Sequence, residues 1–298
     1  MSFHFIRAGL QTSIQDNGRQ GYMHLGIANS GAMDSNSMKR ANWLVDKPFD
    51  SAVFEVTLIG PKIQFQKTMS IAICGAEFDI KLNGKNIFNN ETIKVQKSDV
   101  LEFGKLQQGA RAYIAFSGQL QLAKVLNSYS THLTAKLGGY KNRALINNDI
   151  INISTSSPVS IKKSPQQNII YSGNYLLRCV ESVESKLFNE TQKKQFYQQR
   201  YLVNLDSNRM GLRLDSNAIK FNKNINILSS GLTQGSIQIP PSGLPIISSV
   251  DGQTIGGYPR IANIINADLP LLGQLKARDK INFVLIDNKQ AIELMYDK

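Results

Sequence analysis

The chain has 298 residues, 42% of them hydrophobic, with 34 Lys+Arg against 22 Asp+Glu and a formal net charge of +12. That length and apolar content support two ordinary domains or one large β domain, and exclude a disordered chain. The basic excess is scattered, its densest patches being pairs such as Lys162-Lys163 and Lys193-Lys194, so a solvated surface is expected rather than a nucleic-acid partner. No stretch approaches the ~18 apolar residues of a membrane span. The opening residues carry no apolar block of the secretory kind, and Cys74 and Cys179 give no disulfide framework, so a cytoplasmic protein is expected.

Residues 3–14 alternate loosely and read as a strand with a turn at Gly9. Gln15-Asp16-Asn17-Gly18-Arg19-Gln20-Gly21-Tyr22 follows, with Asn17-Gly18 a strong turn signal that gathers an amide, a carboxylate and a guanidinium. After a second glycine-rich segment, 26–34, Asp34 or Ser35 caps a predicted helix running to about residue 44. Met38, Ala41, Leu44 and Val45 share its apolar face, Asn42 lies two turns along from Ser35, and Pro48 stops it. Strands are predicted at 53–59, 62–65, 70–74, 78–82, 92–95, 100–103 and 111–116, separated by turn signals such as Gly60-Pro61 and Asn83-Gly84. A polar loop spans 128–140, and 142–153 closes the first half. Residues 154–167 are Ser/Pro/Lys-rich and read as a linker or exposed loop, dividing the chain into β-rich halves at 1–155 and 156–298.

The second half is predicted to hold strands at 168–171, 175–180 and 201–203, a helix over 189–200, and further strands to 283–286. A short helix is expected at 268–274, with Asp268 as cap and Pro270 in its first turn. Two apolar runs, 244–250 and 261–265, flank the most concentrated polar stretch of the chain, Ser249-Val250-Asp251-Gly252-Gln253-Thr254-Ile255-Gly256-Gly257-Tyr258-Pro259-Arg260. Such runs read as buried strands, so a carboxylate, an amide, a hydroxyl, two glycines and a phenol sit on the turn between them. No exact internal repeat is visible, and the fold class expected is mainly β, a barrel or sandwich with a few short helices.

There is no P-loop, no serine elbow and no zinc spacing; His4, His24 and His132 are far apart. What remains is a set of carboxylates, arginines, amides and glycine turns, which suits binding an anionic or amide substrate and moving a proton. Arg19, Arg209 and Arg213 are candidate clamps for carboxylate or phosphate, because guanidinium offers a planar fork.

The ordered set Gln15-Asp16-x-Gly18-Arg19-x-Gly21-Tyr22, Ser30-Gly31-Ala32-Met33-Asp34, Ala41-Asn42, Glu55-x-Thr57-Leu58-x-Gly60-Pro61, Ser207-Asn208-Arg209-Met210-Gly211-Leu212-Arg213-Leu214, Gly235-x-Ile237-Gln238-Ile239-Pro240-Pro241 and Gln253-Thr254-x-Gly256-Gly257-Tyr258-Pro259 covers nearly the whole chain. It resembles the family of 5-oxoprolinase C subunits, also called allophanate hydrolase subunit 2 or the biotin-dependent carboxyltransferase family. The resemblance implies cyclophilin-like β-barrels and ATP-dependent cleavage of 5-oxoproline to glutamate. It also implies work with the A and B subunits of 5-oxoprolinase, the B component being similar to allophanate hydrolase subunit 1. Relatives of the domain accept carboxyl from biotin in urea carboxylase, and another is an antagonist of a kinase inhibitor. With no P-loop and no biotinylation sequence here, ATP is expected in another arrangement or on a partner, and biotin only on a partner. A prolyl isomerase suggested by a barrel alone is the weakest alternative, since fold does not fix function.

For the lactam reaction, Asp251 or Asp34 is the expected proton acceptor, and Arg19 and Arg209 are the expected charge-stabilising groups. Gln15, Asp16, Asn42, Gln238, Gln253, Thr254, Gly256, Gly257 and Tyr258 are the expected substrate-binding residues; no metal ligand is expected. The sequence departs from the family pattern at Tyr129, where Ser-Arg-Ser-Thr is usual, which removes a possible anion contact. It departs again at Asn148-Asp149 and Arg278-Asp279, where Gly-Asp is usual. Asn148 tolerates a left-handed turn, whereas Arg278 is less accommodating and leaves the loop shape there open.

Overall fold

The computed structural model describes residues 2–154, 158–165, 169–221 and 227–296. Strands dominate, and the chain divides into two units: Met1–Gln20 with Ser30–Tyr171, and Gly21–Asn29 with Ser172–Lys298. No helix among the described residues is long and apolar enough to cross a membrane.

The first unit contains strands Phe3–Arg7 (β1), Gln11–Gln15 (β2), Val53–Thr57 (β3), Lys62–Phe65 (β4), Met69–Leu82 (β5), Lys85–Ile87 (β6), Thr92–Val95 (β7), Val100–Phe116 (β8) and Asp149–Ile151 (β9). They form one nine-stranded sheet, ordered β2-β3-β8-β4-β1-β9, with β5 on β8 and both β6 and β7 on β5. The predicted breaks at 75–77 and 104–110 are not turns. β5 and β8 stay paired through register shifts between Gly75 and Ile80, so each is one long bulged strand. A bulge satisfies enough backbone groups to keep the ladder while its polar residues imitate a turn in sequence. The core is aromatic: Phe3 meets Phe54 and Phe116 at ring-centroid distances of 5.1 and 5.0 Å.

Helix α1, Ser35–Leu44, begins where the sequence predicts. Asp34 caps it, accepting from Ser37 N at 3.0 Å and Ser37 Oγ at 2.6 Å. Its buried face of Met38, Ala41 and Leu44 packs on Ala72, Cys74, Tyr113 and Ala115, small residues for the most part, which let the helix lie close to β5 and β8. The expected linker behaves differently. Lys162 exchanges bonds with Thr92 on β7, and Val159 N–H donates to Ser70 Oγ, so 159–164 runs along a sheet edge that would otherwise expose unpaired groups. Residues 155–157 and 166–168 lie outside the described residues, and 169–171 are not strand.

The second unit contains Asn174–Glu181 (β10), Tyr201–Val203 (β11), Gly211–Asp215 (β12), Ser230–Gly231 (β13), Ser236–Gln238 (β14), Ile246–Ser248 (β15), Ile255–Gly256 (β16), Arg260–Ile264 (β17) and Lys280–Leu285 (β18). Seven of these close a barrel in the order β10-β17-β14-β15-β12-β11-β18, with β13 and β16 as a separate small ladder. Alternate residues are buried, Leu177 and Cys179 on β10 and Ile281 and Phe283 on β18, as a filled barrel requires. Helix α2, Glu190–Gln198, carries an Asn189–Gln192 capping box and stacks Phe196 on Phe283 at 4.8 Å. Helix α3, Asn288–Tyr296, was not expected. Its signal was available in Asp287-x-x-Gln290, whose side chains cap each other's backbone N–H.

Two expectations are corrected in detail. The helix at Leu269–Gln274 is 3-10, and Asp268 does not cap it by its side chain. That carboxylate accepts instead from Arg178 N at 2.8 Å and Nε at 3.0 Å, a stronger charge-assisted arrangement. Arg278 keeps the left-handed turn, with φ +72° against +68° at Asn148. In both turns an Asp carboxylate accepts from the N–H three residues earlier, Lys276 to Asp279 and Ile146 to Asp149, so a side-chain bond holds the conformation that glycine would otherwise make easy.

Arg260 on β17 donates to Glu184 Oε2 at 2.6 Å and to Ser230 Oγ at 2.8 Å, tying the barrel to β13. The guanidinium holds the Glu184 carboxyl below its ordinary range. The stabilisation is therefore full above the ordinary carboxylate pKa and is lost as pH falls through the depressed one. Glu184→Gln is expected to cost about 2 kcal/mol at neutral pH. In urea unfolding the gap from wild type should close in acid; a gap unchanged there would remove the charge from the account.

Candidate functional site

In the second unit, the segments 207–213 and 249–258 are drawn together by a buried ion pair. Arg209 Nε lies 2.8 Å from Asp251 Oδ2 and Nη2 lies 3.1 Å from Oδ1, with side-chain exposures of 4% and 1%. The backbone doubles the clamp: Asp251 N–H donates to Arg209 O at 2.9 Å, and Ser249 N–H to Met210 O at 3.1 Å. Gly252 is required by this approach, since a Cβ there would stand 2.9 Å from Met210 O and 2.5 Å from Ser248 Oγ. Asn208 closes its own turn, its Oδ1 accepting from Met210 N–H at 2.8 Å.

The clamp frames a cavity of about 260 Å³. Gln238, Gln253, Gly256, Gly257 and Tyr258 line it, joined by Arg213, Ser248 and Asn208. Gln238 is only 8% exposed, yet its side-chain amide has no hydrogen-bond partner among the described residues. Gly256 lets that amide come close, because a Cβ there would lie 2.5 Å from Gln238 Nε2. Pairing of β16 with β13, Gly256 opposite Ser230, holds this wall, and Arg260 holds β13. Arg213, on β12, makes no ion pair among the described residues. Thr254 is buried beside the cavity segment, and its carbonyl accepts from Leu232 N–H at 2.8 Å. Asp251 does not line the cavity; its charge is spent on Arg209.

The first unit gathers the other predicted residues into a hydrogen-bonded knot. Asp16 Oδ1 accepts from Gly18 N–H at 2.8 Å and from the Ser128 and Ser130 hydroxyls at 2.6 Å, and Oδ2 accepts from Tyr129 N–H at 2.6 Å. Arg19 is fully buried and donates to the carbonyls of Ser130 and Leu137. Gln15 Nε2 donates to Ser13 Oγ at 2.9 Å and Thr131 O at 3.0 Å. Gly31, at φ +94°, lies against the Asp16–Gly18 backbone, and Ala32 N–H donates to Asp16 O at 3.0 Å, so the two glycine motifs are one structural unit. Glu55 Oε2 accepts from Met33 N–H and from Tyr113 OH, both at 2.9 Å. Burial, then the Glu55 and Asp34 charges, push the Tyr113 phenol well up, so it stays a neutral donor. Asn42 Nδ2 donates to Phe49 O and Ser51 O, fixing the loop after α1.

Gln15, Asp16, Arg19, Asp34 and Asn42 thus hold backbone, and Arg209 and Asp251 hold each other, whereas Gln238, Gln253, Gly256, Gly257 and Tyr258 face open space. Sequence reasoning missed Ser248 and Asn208 as lining residues. Asn208 sat within a motif that was read and Ser248 beside one, but which of their side chains line the cavity depends on how the fold brings the segments together. Both thiols are pushed up to about 12 by burial, which leaves neither Cys74 nor Cys179 as a nucleophile near neutral pH. The cavity can bind a neutral amide or ureido group through Gln238 and Gln253 and an anionic group through Arg213.

Residues 25–285 match the family described as carboxyltransferase domain, subdomain A and B. The chain is 31% identical to the C subunit of Haemophilus influenzae 5-oxoprolinase, over 95% of this chain and 91% of that one. It is likewise 31% identical to the C subunit of Escherichia coli 5-oxoprolinase, over 98% and 94%. The crystal structure of Kluyveromyces lactis urea carboxylase superimposes with a TM-score of 0.91 at 30% identity, covering 99% of this chain, which spans only 28% of that longer protein. With a family match over most of its length and near-full-length relatives at this identity, the chain belongs to the carboxyltransferase-domain family of subdomains A and B, the family that includes the C subunits of 5-oxoprolinase.

Proposed function

We propose that the chain is the C subunit of a cytoplasmic, ATP-dependent 5-oxoprolinase, which opens the cyclic amide of 5-oxoproline to glutamate together with its A and B subunits. The observation that carries this is the second-unit cavity, where the nearly buried Gln238 side chain and the exposed Arg213 guanidinium line the same space. 5-Oxoproline presents a lactam N–H and carbonyl and one carboxylate. Gln238 and Gln253 complement the lactam, and Arg213 complements the carboxylate. The Arg209–Asp251 pair acts as a positioning clamp in this reading and gives up no proton.

The cavity does not fit ATP. A single guanidinium and no lysine among its lining residues is a poor match for a triphosphate, so this reading takes ATP outside this cavity, in another arrangement or on a partner. Biotin is a different case. Its ureido ring would be held by the same Gln238 and Gln253 amides, and its chemistry when bound is the carrying of a carboxyl group. This second reading, a carboxyltransferase domain served by biotin on a partner, is favoured by the likeness of the whole chain to a stretch of urea carboxylase.

Reconstitution separates the two. With candidate A and B subunits, glutamate should form in step with ADP and be lost when this chain is omitted; activity that instead requires urea and a biotinylated partner would transfer the function to the second reading. Gln238→Leu and Arg213→Gln are each expected to lower kcat/KM for 5-oxoproline about tenfold or more, through lost amide or charge-assisted hydrogen bonds. Asp251→Asn leaves Arg209 buried without its counter-charge and should cost about 3 kcal/mol of stability. Its activity loss should track the unfolded fraction. A fully folded Asp251→Asn protein with turnover lost by orders of magnitude would make Asp251 a proton carrier instead.

A further inference from the structure

The first unit has an open cleft of about 580 Å³ that the proposed reaction does not use. One wall is the loop after α1, which carries Lys47 and Asp50 and is pinned by the Asn42 amide to the carbonyls of Phe49 and Ser51. The opposite wall is Tyr129, whose N–H is held by the Asp16 carboxylate. The floor is apolar, formed by Phe116 and Leu120, both nearly buried. The loop and Tyr129 are therefore each held by part-buried side-chain bonds before any ligand arrives.

Two ammonium groups face this space, and neither is neutralised by a carboxylate among the described residues. Lys47 is half-buried, makes no ion pair among them, and has its basicity lowered by burial. Lys124 has no carboxylate partner among them and stands 5.2 Å from the centroid of the Tyr129 ring. Lys124 is exposed, whereas the partly buried Lys47 ammonium lies without a counter-charge, a cost that an incoming anion offsets. The charge of the ligand is bounded as well. Asp16 and Asp50 line the same cleft, so its summed charge is near zero and a polyanion meets as much repulsion as attraction. A monoanion with an apolar body satisfies both the lysines and the floor.

We infer that this cleft binds a small monocarboxylate, its carboxylate taken by Lys47 and Lys124 and its apolar body resting on Phe116, Leu120 and the Tyr129 ring. Tyr129 thus serves as a platform, with Lys124 supplying the cation above it.

The test uses the full chain alone, without ATP or partners; because the hydrolase reading also places 5-oxoproline in the second-unit cavity, the Lys47→Gln and Lys124→Gln variants decide whether any binding belongs to this cleft. Binding of benzoate, L-5-oxoproline, acetate and inorganic phosphate is measured by titration calorimetry, and trace acetylation of Lys47 is followed by peptide mass spectrometry. Saturable binding is expected for benzoate or 5-oxoproline, with acetate weaker and phosphate not competing. Lys47→Gln and Lys124→Gln, verified as folded by circular dichroism, should each weaken that binding about tenfold, the worth of one charge-assisted contact. The bound carboxylate should slow Lys47 acetylation where chloride at equal ionic strength does not. Absence of saturable carboxylate binding, phosphate binding tighter than every carboxylate, or binding untouched by both substitutions would overturn the inference.

Discussion

The buried Arg209–Asp251 pair is the interaction on which the second-unit cavity depends. Its two charges lie beneath the surface, and each satisfies the other through a two-pronged contact reinforced by backbone bonds between the same segments. An isolated buried charge is costly, so the segments are held wherever both partners can be buried together. Most of what faces the cavity stands on one of those segments or on the barrel strands between them. Neither member of the clamp lines the open space itself.

The first unit solves a similar problem with a different set of donors. Asp16 is surrounded by two hydroxyls and two backbone N–H groups, and so holds the Asn17-Gly18 turn and the Ser128–Ser130 loop together. Arg19, beside it, fastens two carbonyls of the 128–140 segment. The polar side chains that line the two open spaces are amides, hydroxyls, an arginine and lysines, with Asp16 and Asp50 among those of the first-unit cleft.

The turns before β9 and β18 show how side chains replace glycine. Asn148 and Arg278 both occupy left-handed conformations, and an Asp carboxylate bonded three residues back stabilises each. The cost of a side chain at positive φ is modest, of order 1 kcal/mol, and one charge-assisted bond is enough to offset it. A change of residue that looks disruptive in a motif is therefore compatible with an unchanged loop when the flanking Asp is kept.

The sequence by itself determined the mainly β class, the helix starting at Asp34 or Ser35, the helix near 189–200, and the residues Gln238, Gln253, Gly256, Gly257 and Tyr258 that face the second-unit cavity. These follow from local chemistry: periodicity, caps and glycine turns act over a few residues and leave a local trace. Only the tertiary structure decided that β5 and β8 run on through their bulges, that 159–164 lines a sheet edge, and that Asp251 and Asp16 are consumed by partners 42 and 112–114 residues away. The reason is that pairing and charge neutralisation are settled by what the fold brings near. The sequence shows that a carboxylate is present; the distance to its donors decides whether it is a base, a ligand or a brace.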